Sequence, residues 1–504
     1  MTPIPAHAAS EIPVLIRVHP QDDVAVAMAD VPAGLVPFEG AMLPVLEPVA
    51  RGHKVAVKAI AADAAVMRYG FPIGRATRAI ARGAGVHVHN VKTRLAGEEA
   101  YRFSGAPVAA PAITPSPRTF EGYVRADGRV GTRNEIWVLP TVGCVARTAQ
   151  KIAALGDAAD HPGIDGVHAF VHPYGCSQLG DDLAATRTIL AGLACHPNAG
   201  GVLLVGLGCE SNQLDQLMAM IPPDLQDRVR VVRAQSASDE IADGAALVAD
   251  LAAVAGRATR TTVGIDRLVV GLKCGGSDAF SGVTANPLVG RIADAVTEAG
   301  GTAILTEIPE VFGAETLLME RARNAAVFDG IVAMVNGFKR YFLDHGEPVS
   351  ENPSPGNIAG GITTLEEKSL GAVQKGGHAV VEDVLHYGDR VRTTGLSLLE
   401  APGNDAVSCT ALTATGATVI LFTTGRGTPL GFPAPTIKIA SNGTLAAAKP
   451  RWIDHDAGQV LADGLDTATD ALLDRIMAVA SGRPTAAERN DEREIAIWKR
   501  GVTL

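Results

Sequence analysis

The feature that most limits what this chain can fold into is a set of uninterrupted apolar runs. EIWVLPTV (135–142), GVHAFVHP (166–173), GGVLLVGLG (200–208), RLVVGLK (267–273), GTAILTE (301–307) and GATVILFTT (416–424) carry almost no alternating polar residues. Strands of that texture belong to parallel sheets covered on both faces. Helix-compatible stretches such as DDLAATRTILAGLA and PLVGRIADAVTEAG lie between them, and strand–helix alternation of this kind predicts an α/β fold. At 504 residues the chain is too long for one core, so two or three domains are expected.

Residues 12–95 have a different texture. IPVLIRVHP, DVAVAM, HKVAVKAI and GVHVHNVKT alternate with period two between Gly and Pro, which predicts a small β-rich domain. A proline-rich linker follows over 96–118, centred on SGAPVAAPAITPSPR. A boundary near 255–262 then divides a middle α/β domain, 119–258, from a C-terminal one, 259–504.

Composition excludes several classes of function. A net charge of −10 and only 4% aromatic residues argue against a nucleic-acid surface. No apolar run reaches the ~18 residues that span a bilayer. MTPIPAHAASEIP lacks the cationic and apolar regions of a signal peptide, so a cytoplasmic protein without a membrane partner is expected. Six cysteines with no close pair fit reduced thiols better than a disulfide framework.

Four of those cysteines stand just past a predicted strand. Cys144, Cys176 and Cys209 each follow a glycine, and Cys274 follows Lys273. In an open parallel sheet the crevice beyond the strand carboxyl ends is where ligands bind. His172, Asp278, Glu307 and Glu310 lie in the same predicted region. Thiolates suit iron–sulfur clusters or zinc, whereas carboxylates suit harder divalent ions. The sequence therefore names Cys144, Cys176, Cys209, Cys274 and Asp278 as candidate metal ligands at one shared mouth.

Further candidates bind substrate. VHVHN places His87 and His89 at i and i+2, on one face of an expected strand. Asn352, Ser354, Asn357 and Thr363 cluster in ENPSPGNIAGGITTLEEKSL. Thr363 or Thr364 is expected to cap the following helix, whose N–H groups would bind a carboxylate. Arg426, in TTGRGTPLGFPAPTIKI, is a natural carboxylate clamp. No GxGxxG, GxxxxGK[ST] or GxSxG motif occurs, so dinucleotide, ATP and serine-hydrolase chemistry lack support.

Seven motifs in order resemble the altronate/galactarate dehydratase family. They are GYVRADGRVGTRNEIWVLPTVGC, HPYGCSQ, GLGCESNQ, LKCGGSDAFSGVTANP, TEIPEVFGAE, NPSPGNIAGGITTLEEKSLG and TTGRGTPLGFPAPTIKI. The resemblance runs from about residue 12 to 460. It implies an N-terminal SAF-type β-clip, a linker, a dimer-forming middle domain and a Rossmann-like C-terminal domain. It also implies dependence on Fe2+, with an iron–sulfur cluster or another divalent cation as the alternative, and a homodimer acting on a sugar acid.

The expected reaction removes water from an altronate-like aldonate to give a 2-keto-3-deoxy acid. Alternatives are a galactarate-type aldarate dehydratase, a sulfo-lyase acting on sulfolactate, and a non-catalytic sugar-acid-binding protein. The fused β-clip favours a sugar-acid dehydratase over the sulfo-lyase. Lys273 is the expected base, its pKa depressed toward neutrality by burial. His172 is the expected acid, with Glu307 and Glu310 as alternatives. The β-clip is expected to lid the crevice across the linker.

Overall fold

The computed structural model describes residues 13–157 and 161–504 except 104, 106, 107 and 109–111. The linker reading of 96–118 falls partly on those excepted positions, and residue 12 lies outside the described residues. The chain is α/β, as its apolar runs predict, with a β-rich N-terminal domain in front of two parallel sheets.

In the N-terminal domain short strands pair only with antiparallel neighbours. Its buried residues Val66 and Ile73 belong to the same apolar cluster as Leu365 and Leu370 of the C-terminal domain. This domain is therefore docked along its side rather than held out on a tether.

The middle sheet contains β1 (Glu135–Pro140), β2 (Gly166–Ala169), β3 (Ala199–Gly206) and β4 (Val229–Arg233), all parallel, in the order β2-β1-β3-β4. Every residue of β1 is buried. Its alternate side chains serve two cores. Ile136 and Val138 pack with Ile152 and Ala149 of α1 (Ala146–Asp157) and with Val248 and Leu251 of α3 (Glu240–Ala255). Trp137 and Leu139 face Ile189 and Leu193 of α2 (Gly180–Ala194), in a cluster that continues into the C-terminal domain.

The C-terminal sheet has seven parallel strands: β5 (Val269–Cys274), β6 (Thr302–Leu305), β7 (Val381–Leu385), β8 (Gly395–Leu399), β9 (Val419–Thr424), β10 (Thr436–Ala440) and β11 (His455–Asp456). Their order is β7-β8-β6-β5-β9-β10-β11. From β5 the chain passes through α4 (Ala285–Glu298) to β6 on one side. It then runs through α5 (Ala325–Asp344) and later returns through α7 (Asp405–Thr415) to β9 on the other side. The two connections diverge between β5 and β9, and that topological switch point is where such sheets bind ligands.

One short helix links the N-terminal domain to this point. Thr364 caps α6 (Leu365–Ala372), its hydroxyl accepting from Glu367 N at 3.2 Å. The Glu367 carboxylate is buried against Lys54 at 2.9 Å and against Arg68, both from the N-terminal domain. Thr93 and the Arg94 amide hold the Glu366 carboxylate beside it. Arg68 also donates to Ala279 O at 3.1 Å, and Lys54 to Gly361 O at 2.6 Å. Removing one partner from a buried ion pair strands the other charge, so these contacts fix where α6 begins.

Candidate active site

β5 ends in Lys273, which is fully buried. An ammonium can stay there only if its protons are matched. Nζ donates to Cys274 O at 2.6 Å, to Asp405 Oδ1 at 2.8 Å and to the Glu307 carboxylate. Glu307 follows β6 in the left-handed region, at φ 69°, which turns its carboxylate back onto β5. There it also accepts from Cys274 N at 2.9 Å. Burial alone would lower the Lys273 pKa, but Glu307, Asp405 and Glu310 raise it well above the ordinary lysine value. This corrects the expectation of a lysine depressed toward neutrality. The ammonium is held protonated with no lone pair to accept a proton.

A second lysine and a third complete the cluster. Lys368, on α6, donates to Glu310 Oε1 at 2.8 Å, Asn352 Oδ1 at 3.0 Å and Asn357 Oδ1 at 3.2 Å. Lys375 Nζ lies 2.8 Å from Cys274 Sγ, and the thiol lies 3.2 Å from Glu310 Oε2. Burial first, and Glu307 next, push the Cys274 thiol up to about 12, so it is neutral and donates to Glu310. Burial would raise Glu310, but Lys368, Lys273 and Lys375 bring it down to about 2. Burial and the Glu310 charge move Glu307 the other way, upward. Three ammoniums thus face three carboxylates around one thiol.

These groups border a cavity of about 800 Å³ at the switch point. Cys274, Glu310, Lys368 and Asp405 line it, with Asn352, Ser354 and Asn357 from the loop before α6. The Asp405 side chain is 34% exposed there. One oxygen of Asp405 is bound to Lys273, and among the described residues the other has no donor. Among the described residues, Cys274, Glu307 and Glu310 form the one group that could hold a metal ion, with ligand atoms within 4.8 Å of one another. A thiol with two carboxylates is a donor set that fits Fe2+.

The remaining sequence candidates divide. Asn352, Ser354 and Asn357 join the cavity, and Ser354 caps the turn at 355–359 through a capping box. Asp278 lines a small cavity beside Cys274 but is not among the ligand atoms grouped around that thiol. Its carboxylate accepts from Ser281, Ser441 and Asn442. Arg426 lines a separate opening of about 370 Å³ together with Arg51. Thr363 bonds the His87 ring at 3.0 Å, and its amide donates to Glu367 at 2.7 Å. The α6 terminus is thus already occupied by an internal carboxylate rather than open to a substrate. His87 and His89 lie in a bend and a turn, not on one strand face, because the strand stops at Val86.

The single shared mouth separates into two. Cys144, Cys176 and Cys209 follow β1, β2 and β3 of the middle sheet and are exposed, whereas Cys274 is buried in the C-terminal sheet. His172 belongs with the middle set. Its Nε2 bonds Pro140 O at 2.9 Å and its Nδ1 accepts from Tyr174 N at 3.2 Å. Burial lowers its pKa to about 4. Both ring nitrogens are committed to backbone, so His172 has no proton to give a ligand. Lys368, Lys375 and Asp405 are the groups that the sequence reading missed. The clues were EEK in the predicted α6 and the N-cap pattern GND before α7, where Asn404 accepts from Ala406 N and Val407 N.

A parallel-sheet domain with a buried charged cluster at its switch point defines an enzyme of the α/β class. Comparison with known families is more specific. Residues 13–94 match the altronate/galactarate dehydratase SAF domain, and 122–256 match the D-galactarate dehydratase/altronate hydrolase second domain. Residues 265–503 match the D-galactarate/altronate dehydratase C-terminal domain. The chain belongs to this family of sugar-acid dehydratases, which are hydro-lyases. It is 49% identical to altronate dehydratase of Escherichia coli (strain K12) over 97% of this chain and 99% of that protein. Identity to altronate dehydratase of Bacillus subtilis (strain 168) is 45%, over the same shares. Galactarate dehydratase (L-threo-forming) of Escherichia coli (strain K12) is 36% identical over 93% of each chain. Among the described residues no helix is long and apolar enough to cross a membrane.

Proposed function

We propose that this protein removes water from an altronate-like aldonate to give a 2-keto-3-deoxy acid. The observation that carries the reading is the cavity beside β5. It is lined both by Asp405, whose second carboxylate oxygen has no donor among the described residues, and by Lys368, whose ammonium is held by Glu310, Asn352 and Asn357. Near-full-length similarity to two altronate dehydratases supports the choice of substrate class.

The chemistry must remove a weakly acidic C2 proton and expel the 3-hydroxyl. Asp405 is assigned as the base, because its second oxygen has no competing donor; the carboxyl formed when it takes the C2 proton then returns that proton to the departing 3-hydroxyl, which leaves as water. Lys368 faces the substrate carboxylate, where negative charge grows as the proton leaves. A preorganised cation in a water-poor site contributes most at that point. Asn352 and Asn357 orient Lys368, and Lys273 orients Asp405. Fe2+ held by Cys274, Glu307 and Glu310 would supply Lewis-acid polarisation of the substrate carboxylate.

Pairing of two copies through the middle domain, in the cytoplasm, belongs to the same proposal. Leu155 and Val254, more than half exposed on α1 and α3, support it. Incubating the reduced, iron-supplied protein with aldonates and aldarates tests the reaction. Keto-acid product from altronate is the expected result. Product from galactarate alone, sulfite release from sulfolactate alone, or a thermal shift without product would overturn it.

A further inference from the structure

We propose that Cys144, Cys176 and Cys209 together hold an iron–sulfur cluster at the carboxyl edge of the middle sheet, separate from the Cys274 site. The chain has six cysteines, and three of them, Cys195, Cys274 and Cys409, are buried. The three exposed ones each follow a different strand of this sheet, Cys144 four residues after β1, Cys209 three after β3 and Cys176 seven after β2. Exposed unpaired thiols are oxidation liabilities, and a fold that gathers all of them in one place is using them.

The strands that carry them, β2, β1 and β3, are immediate neighbours. Adjacent strands lie about 4.8 Å apart, so the three carboxyl ends fit within about 10 Å. The loops are tied to one another before any ligand arrives. Gly143 N donates to Tyr174 O at 2.8 Å, and Asn212 N donates to Gly175 O at 2.9 Å. Asn212 Nδ2 reaches Thr141 O at 3.1 Å. Glu210 spends its carboxylate on the Thr141 hydroxyl and the Leu207 and Gly208 amides, so it pins the Cys209 loop and leaves the thiol as the free donor.

Backbone curvature shapes the same edge. Gly175, Ser177 and Gly208 have φ of 100°, 55° and 131°, left-handed turns that bend the Cys176 and Cys209 loops, and the Gly175 and Gly208 amides fix those turns by donating to Gln178 Oε1 at 2.9 Å and Glu210 Oε2 at 2.6 Å. A Cβ on Gly175 would meet Thr141 O at 2.1 Å, so the loop closes only with glycine before Cys176. Gln235 Nε2 lies 3.4 Å from Cys209 Sγ, a donor of the kind that tunes cluster sulfurs. The three sulfurs do not all fall within 4.8 Å of one another, unlike the ligand atoms around Cys274, which disfavours a single ion. Three thiolates on a four-iron cluster leave one iron without a protein ligand. The C-terminal tail joins this edge to the cavity. Trp498 lines the cavity and Leu504 N donates to Ser177 O at 3.0 Å, a chain distance of at most about 22 Å.

The test is anaerobic reconstitution of the full chain with Fe2+ and sulfide, followed by visible absorbance and acid-labile sulfide. The wild type and the Cys195→Ser, Cys409→Ser and Cys274→Ser variants are expected to gain both signals. Cys144→Ser, Cys176→Ser and Cys209→Ser are each expected to stay at background while keeping the wild-type thermal melting curve. Cys→Ala at the same positions guards against hydroxyl ligation. Iron uptake without sulfide, no uptake, or signals unchanged in the three variants would overturn the proposal. None of these readouts depends on the substrate, so the dehydratase reading can fail independently.

Discussion

In the middle domain β1, β2 and β3 lead into three exposed thiols, whereas in the C-terminal domain β5 and β6 lead into Lys273, Cys274 and Glu307, all fully buried. Both sheets are parallel and both place their chemistry just past the strand carboxyl ends. Topology thus selects where reactive groups sit, but their surroundings select the chemistry. Buried charges survive only as a matched set, here Lys273, Lys368 and Lys375 against the buried Glu307 and Glu310 and the partly exposed Asp405. The exposed thiols carry no such constraint. One mouth is therefore tied to the stability of the fold, and the other is free to exchange with solvent.

The largest expected effect breaks the matched set. Lys273→Met leaves Glu307 buried and without its ammonium, and should cost about 3–5 kcal/mol in urea unfolding. Equal losses for Lys273→Met and an exposed-thiol variant would remove the contrast.

A smaller effect comes from acid. Burial raises the Glu367 carboxyl, but Lys54 and Arg68 bring it down to about 2 from an ordinary 4.5. A depressed carboxyl contributes stability above its unfolded pKa and loses it as pH falls through the folded value. Unfolding free energy should therefore drop by about 3 kcal/mol between about pH 5 and pH 2 from this group. Glu367→Gln should flatten that part of the profile. An unchanged slope would show that the clamp on α6 is not electrostatic.

Much of this division could be read from the chain. The six continuous apolar runs each became a parallel strand, and five of them are buried along nearly their whole length, because burial on both faces leaves a plain signature; β2, at the sheet edge, buries only Val167. Strands β4, β7, β8, β10 and β11 lie outside those runs: VRVVR and VEDVL mix charged residues with apolar ones, TIKIA buries Lys438, GLSLL is only five residues long and β11 has two. Lys273, Cys274 and Glu307 were legible as strand-end groups. Lys368 and Lys375 were not, because a lysine on a helix looks solvated until the fold turns it inward. The protonation of Lys273 was equally hidden. Its carboxylate partners lie 34 and 132 residues away, so local sequence suggested burial without the charges that reverse it.

The smallest expected effects are at the exposed mouth. Cys144→Ser, Cys176→Ser and Cys209→Ser should each stay within about 0.5 kcal/mol of wild-type stability. In the reduced, metal-free protein an alkylating reagent should modify three thiols quickly and leave Cys195, Cys274 and Cys409 protected. Rapid labelling of Cys274 would show that the C-terminal mouth is open after all.

The central claim is that dehydration takes place beside β5, with Asp405 as the base. The most direct measurement is keto-acid formation from altronate by Asp405→Asn, with urea unfolding of the same sample as a check on the fold. The account predicts a fall in kcat of about 10²-fold to 10⁴-fold with little change in KM. A folded variant that turns over within twofold of wild type would contradict it.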